Sequence, residues 1–191
     1  MMDTHIEMFP EAQVPLPLRL QMVGLQDQAW PPERPSPPSA WHDDALSPVS
    51  MLLVRDGRVV ASLDILSKEL EHAGERWAAS GLSAVVTDPA ERGRGYGGRL
   101  VAAARARIAA SAVDVGLFTC DPTLRRFYER AGWDLLPDTT IVGGTQKDPL
   151  SSDTLGKITF GGFFSERARA RRDGFVGTRI LLYPGVIDRL W

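Results

Sequence analysis

Cysteine is nearly missing from this chain: Cys120 is the one thiol in 191 residues. No internal disulfide can form, which fits a reducing cytoplasm. Excess positive charge is missing too. The formal net charge is −2, which argues against a general nucleic-acid binder. Lysine is scarce and arginine supplies most of the 22 basic residues, so local basic patches remain. No apolar run approaches the roughly 20 residues of a membrane span. The opening Met-Met-Asp-Thr-His-Ile-Glu has neither the basic start nor the apolar core of a secretory signal. His5, His42 and His72 show no metal-ligand spacing, so no metal is expected. No internal repeat is evident.

What is present is an ordinary globular composition, 43% hydrophobic and 24% charged, with apolar material for a sizeable core. The length suggests one domain over residues 1–191. A short strand is expected around Ile6–Phe9. Leu16–Trp30 reads as a helix with Leu16, Leu20 and Val23 on its apolar face. Residues 31–48 are too rich in proline for a helix or central strand. They read as a surface loop, or as a lid with Trp30 and Trp41 at its ends.

Val49–Arg55 and Arg58–Leu66 are apolar, β-branched runs about Asp56-Gly57, a strong hairpin signal. The second run extends to about Glu71. A turn at His72–Glu75 leads to a third strand, Arg76–Thr87, completing an antiparallel meander. Gly97–Ala112 is amphipathic, with Leu100, Val101, Ala104 and Ile108 on one face. Val113–Cys120 reads as a strand. Asp121-Pro122 then starts a short helix that ends at Gly132. Trp133–Val142, Lys157–Phe164 and Thr178–Tyr183 read as strands, and 143–157 as a loop. Arg167, Arg169, Arg171 and Arg172 cluster in Ser165–Gly174, which reads as a solvated face; a nucleic-acid contact there is the weaker alternative.

The chemistry centres on Val85–Leu100. An apolar strand ends at Asp88-Pro89, an Arg- and Gly-rich turn follows, and a helix begins at Gly97. Glycines let backbone N–H groups approach an anion, and the helix N-terminus adds partial positive charge. No Gly-Lys-Ser/Thr follows, which excludes a P-loop. Antiparallel strands precede the turn, which excludes a dinucleotide-binding βαβ unit.

Arg92-Gly93-Arg94-Gly95-Tyr96-Gly97 matches the Gln/Arg-x-x-Gly-x-Gly/Ala pyrophosphate motif of the Gcn5-related N-acetyltransferase (GNAT) superfamily. Asp121–Trp133, with Phe127-Tyr128-Glu129-Arg130-Ala131-Gly132-Trp133, resembles that family's second motif. Both stand in the right order within residues 49–136. The resemblance implies an α+β fold with a mixed, mainly antiparallel central sheet flanked by helices. It also implies acetyl-CoA as co-substrate. Its pyrophosphate would lie on Arg92, Gly93, Arg94, Gly95, Tyr96, Gly97 and Gly98. Its pantetheine arm would lie along Val85, Val86 and Thr87.

By the same resemblance Tyr128 is the acid that protonates the leaving thiolate, although its helical spacing also suits a core residue. The strand that carries a glutamate base in some family members reads Gly81-Leu82-Ser83-Ala84-Val85 here, without a carboxylate. Asp27, Asp64, Glu69 and Glu71 are other candidate acids. A weaker similarity to aminoglycoside 2′-N-acetyltransferases rests on Asp56–Ala61, Arg125–Trp133 and the final tryptophan. It implies Asp153 and Trp191 as acceptor contacts; Asp27 and Asp64 are substrate candidates apart from that similarity. The expected partner is a small-molecule amine, with no nucleic acid and no membrane; a homodimer is left open. The alternative is a regulatory module that holds acyl-CoA without turnover. Cys120 reads as a buried small apolar residue, not a nucleophile.

Overall fold

The structure, a computed structural model, describes residues 4–33 and 42–191. Residues 34–41 of the segment expected as a loop or lid, Trp41 among them, lie outside the described residues, while Asp44–Leu46 form a short 3-10 turn. The chain builds β1 (Thr4–Pro10), α1 (Leu16–Ala29), β2 (Val49–Arg55), β3 (Arg58–His72), β4 (Glu75–Thr87), α2 (Tyr96–Ala109) and β5 (Val115–Cys120). There follow α3 (Arg125–Arg130), β6 (Asp134–Leu136), β7 (Thr140–Gly144), β8 (Pro149–Ser151), β9 (Ile158–Phe163), α4 (Glu166–Ala170) and β10 (Arg179–Leu181). Seven strands form the main sheet in the order β1-β2-β3-β4-β5-β9-β6, and β10-β7-β8 form a second. The main sheet is antiparallel except where β4 meets β5. This is the expected mixed, mainly antiparallel α+β fold.

Local chemistry explains the meander. Asp56 (φ 50°) and Gly57 (φ 77°) both take the left-handed conformation that a two-residue hairpin turn demands, and Arg55 pairs with Arg58 across it. Ala73 and Gly74 repeat the device between His72 and Glu75. In α2 the expected Leu100, Val101, Ala104 and Ile108 are the buried stripe. In α1 the helix is as expected but its face is not. Leu16 and Leu20 are exposed, while Met22, Val23, Leu25 and Gln26 are buried. Met22 and Leu25 join Leu52, Val54, Val59 and Val86, so the contact with the sheet, not the first leucines, sets the rotation.

The expected strand Trp133–Val142 is divided. Pro137-Asp138 breaks it, Asp138 having φ 53°, and the two halves join different sheets. The expected loop 143–157 contributes β8. Around the arginine cluster, α4 is capped by Ser165, whose hydroxyl accepts from the Ala168 N–H. Its arginines serve the fold. Arg167 binds Asp114 at 2.6 Å and lies 4.3 Å over Trp77, while Arg171 and Arg172 pair with Glu75 and Asp134. One apolar cluster runs from Leu53 and Leu63 through Phe118 and Phe160 to Ile141 and Ile180, joining both sheets. No helix among the described residues is long and apolar enough to cross a membrane.

Candidate active site

The site exists because two strands part. β4 and β5 pair only at Ala79↔Val115 and Ser80↔Gly116. Beyond these the parallel ladder stops, leaving peptide groups without a strand partner. β4 also bends there. Ser62 faces Val86 and Asp64 faces Ser83, so β4 holds one more residue than β3 across this interval. Ala84 at φ 48° absorbs the extra residue as a bulge.

A cleft of ≈ 790 Å³ opens at this divergence. Its floor is Val85, Val86 and Thr87 of β4, and one wall is the α2 N-terminus with Gly93, Gly95, Tyr96, Gly97 and Gly98. α3 closes the other side with Phe127 and Tyr128. Of the ten expected cofactor positions, nine line the cleft. Arg94 does not; its Nε binds Glu91 at 3.1 Å. Arg92 borders the cleft, with its Nε 3.4 Å from the Thr87 carbonyl.

The turn has the properties of an anion cradle. Gly93 (φ 79°) and Gly95 (φ 80°) adopt left-handed conformations that strain other residues. No side chain caps α2, and the first bond within it runs from the Arg99 N–H to the Gly95 carbonyl. The N–H groups of Tyr96, Gly97 and Gly98 therefore lack helical acceptors, and all three residues line the cleft. Gly97 sets the depth: a Cβ there would lie 2.6 Å from the Thr87 hydroxyl. Exposed donors, a helix dipole and neighbouring arginines suit a diphosphate, so the residues present fit acetyl-CoA.

Tyr128 joins the core to the cleft. Its ring packs against Phe118, Phe127 and Phe160, with centroids 4.8, 4.9 and 5.5 Å away. Burial, followed by the nearby Cys120 and Asp121, pushes its hydroxyl well above the ordinary tyrosine value. The phenol stays protonated at neutral pH and has a proton to give. Cys120 is buried, and its thiol is pushed up to about 12 by burial and by Asp121. It packs as a small apolar side chain, as expected.

The expected acceptor contacts fall in four different places. Trp191 is buried in the notch between the parting strands. Its indole N–H donates to the Leu117 carbonyl, and a Cβ on Gly81 would collide with its ring. Asp27 lies half-buried on α1, near Ala29 and Trp30, which border the cleft. Asp153 is exposed beside β8, 3.9 Å from Arg179. Asp64 is fully buried, accepting from the Ser50 hydroxyl at 2.5 Å and the Gln26 amide at 3.5 Å.

Sequence reading misses several members of the site. Ala29, Trp30, Phe127 and Ala131 line the cleft. Phe127 and Ala131 share a helix face and had a periodic signal; Trp30 reads only as one end of the lid. Glu11 and His42 lie 31 positions apart, yet His42 Nδ1 is 3.2 Å from Glu11 Oε1. With Asp64 they form a buried group whose ligand atoms lie within 4.8 Å of one another. Burial drives Asp64 up to about 6, against the Ser50 hydrogen bond and the His42 charge. Burial works to lower His42, but the Glu11 hydrogen bond and the charges of Asp64, Glu11 and Asp188 outweigh it and raise its pKa.

Comparison with known proteins bears on this geometry. No curated protein sequence matches the chain. An acyl-CoA N-acyltransferase from Pseudomonas aeruginosa superposes with a TM-score of 0.58 at 18% identity, over 83% of this chain and 99% of that one. The GNAT-family N-acetyltransferase YhbS from Escherichia coli, solved with CoA, gives a TM-score of 0.59 at 14% identity, over 96% and 91%. An aminoglycoside acetyltransferase from an uncultured soil metagenomic sample, in complex with trehalose, gives 0.53 at 18%, over 67% and 86%. At these identities the likeness establishes the fold. The family model for the acetyltransferase (GNAT) domain matches residues 19–136, which include both the glycine turn and the tyrosine helix. On that match the chain belongs to the GNAT acetyltransferases, as an N-acetyltransferase with acetyl-CoA as its co-substrate.

Proposed function

We propose that the protein acetylates the primary amine of a small molecule by direct attack on the thioester of acetyl-CoA, as one catalytic domain in the cytoplasm. The observation that carries this reading is the continuity of the cleft, from the α2 cradle along Val85–Thr87 to Tyr128. The diphosphate rests on the N–H groups of Tyr96, Gly97 and Gly98, beside Arg92. The pantetheine amides take up backbone groups that β4 leaves unpaired beyond Ser80. The thioester then reaches the Tyr128 side of the cleft. The amine nitrogen bonds to the carbonyl carbon, the C–S bond breaks, and Tyr128 supplies the proton the thiolate needs.

The acceptor enters from the α1 and C-terminal side, where Asp27, Trp30 and Asp188 lie. These acids favour a cationic, aminoglycoside-like amine. The fold likeness to an aminoglycoside acetyltransferase is consistent with that class. The test is acetyl-CoA binding by calorimetry, with CoA release measured against kanamycin, spermidine and glucosamine 6-phosphate. Binding together with CoA release on at least one amine is expected. Folded protein that binds no acetyl-CoA, or binds it and releases none with any of the three, would overturn the reading.

A further inference from the structure

Glu11, His42 and Ser83 form a chain of hydrogen-bonding groups that the donor side of the site does not use. Glu11 follows β1, His42 precedes β2, and Ser83 sits on β4 two residues before Val85 of the cleft floor. His42 Nδ1 is 3.2 Å from Glu11 Oε1, and the His42 backbone N–H donates to Glu11 Oε2 at 3.3 Å. His42 Nε2 is 3.4 Å from the Ser83 hydroxyl. Glu11 is 1% exposed and His42 9%, while Ser83 is half-buried. The hydroxyl is therefore the solvent-facing end of the chain and the carboxylate its dry end.

Resting on the acetyl-transfer reading above, we propose that His42 is the base that takes the proton of the incoming amine, through the Ser83 hydroxyl, with Glu11 as its positioning residue. A carboxylate that can only accept sets the tautomer: Nδ1 carries hydrogen, and the Nε2 lone pair faces Ser83. As the amine nitrogen bonds to the thioester carbon, its proton passes to Ser83 Oγ. The Ser83 proton moves to His42 Nε2, giving an imidazolium between Glu11 and Ser83. At the other end the C–S bond breaks and Tyr128 protonates the thiolate. His42 then gains one proton and Tyr128 lacks one, and solvent exchange resets both.

The surroundings suit this role. Four elements converge on the imidazole. Glu11 lies at Nδ1; Asp188 of the C-terminal segment lies 3.6 Å from Nε2; Asp64 of β3 supplies a further buried carboxyl. Ser50 of β2 and Gln26 of α1 orient Asp64. Three acidic groups around one imidazole stabilise the cation formed on proton uptake. The arrangement stands where the family's strand acid is missing: Ser83 replaces it, and the carboxylate acts two groups further back.

The decisive variant is His42→Gln, which keeps polar atoms but takes up no proton at neutral pH. On an amine accepted by the wild type, kcat should fall about 10²-fold or more, with acetyl-CoA affinity unchanged by calorimetry. The wild-type kcat/KM should rise with pH through a limb above the ordinary histidine value, and the variant should lose that limb. Ser83→Ala, which removes one half-buried hydroxyl, carries the same test if His42→Gln does not fold. Wild-type kcat in the folded variant overturns the assignment of His42. Absence of acetyl-CoA binding by the wild type instead overturns acetyl transfer itself. Nitrogen-15 NMR of the free protein needs no acceptor: Nδ1 should carry the proton in the neutral form, and Glu11→Gln should lower the His42 pKa. A neutral form protonated at Nε2 overturns the relay. So does activity lost to EDTA and restored by zinc, which would make Glu11, His42 and Asp64 a metal site.

Discussion

At Tyr128 one side chain has a place in the core and a proposed part in the chemistry, and the two are separable. Its ring fills the aromatic cluster of Phe118, Phe127 and Phe160, so the periodic spacing that suggested a core residue was correct. In the proposed reaction only its hydroxyl takes part. Tyr128→Phe keeps the ring and removes the proton donor. Turnover should fall about 10²-fold, the usual range for a lost general acid, with acetyl-CoA affinity and melting temperature nearly unchanged. A variant with wild-type kcat in the CoA-release assay would remove Tyr128 from the mechanism. Cys120 makes the opposite case. Its thiol is buried, pushed up to about 12, and donates to the Asp121 carbonyl at 3.4 Å. Only the thiolate reacts. Ellman's reagent should therefore leave the native protein unlabelled at pH 7.5 and titrate one thiol after denaturation. Rapid native labelling would contradict this burial. The burial of both was legible because each residue sits inside a contiguous, apolar stretch. His42 was not, because its meaning comes from Glu11 and Ser83, which the chain delivers from far away.

At the scale of elements, the candidate donor site is a contact between the β4 end and the α2 start. Gly97 holds that contact. A methyl there would lie 2.6 Å from the Thr87 hydroxyl, with Phe127 carbons at 3.4 Å. Gly97→Ala should push α2 off β4 and shift the cradle from the β4 edge. We expect acetyl-CoA affinity to fall at least tenfold in calorimetry, although alanine is the better helix former by about 1 kcal/mol. Unchanged affinity would show that the depth of the cradle is not set here. Gly24→Ala in α1 is the control, since its Cβ would meet nothing within 4 Å and Gly24 does not line the cleft. The elements themselves were mostly legible, since two-residue turns, a capping glycine and strict periodicity are local signals. Three features were not. The rotation of α1 depends on which residues β3 and β4 offer it. The division at Pro137-Asp138 depends on a second sheet. The early end of the β4–β5 ladder, where Trp191 from the far end of the chain seats against Gly81 and Leu117, has no local signal in either strand.

At the scale of the molecule, the buried Glu11–His42–Asp64 group ties the β1 end, the β2 start and the centre of β3 into one titrating unit, and this fixes how stability responds to pH. Asp64 is raised from 3.8 to about 6 by burial. Between these values the folded state holds a proton that the unfolded chain has released, so folding stability drops as pH rises through the window. His42 is also raised, from 6.5. Its contribution is fully present below 6.5 and is lost as pH rises through its folded value, which carries the decline further in the same direction. The two effects add, unlike the ordinary case of surface carboxylates whose depressed values favour higher pH. Asp64→Asn removes the first effect while keeping a side chain of the same shape against Ser50 and Gln26. Wild-type melting temperature should fall relative to the variant by several degrees between pH 4.5 and pH 8, since one pKa unit is about 1.4 kcal/mol and each kcal/mol is worth roughly 2–4 °C at this chain length. Parallel melting curves across that range would mean that Asp64 titrates as it does in the unfolded chain and that the cluster is wet. A difference that grows with pH would show that the proton is held inside the fold, on β3 opposite Ser83 of β4.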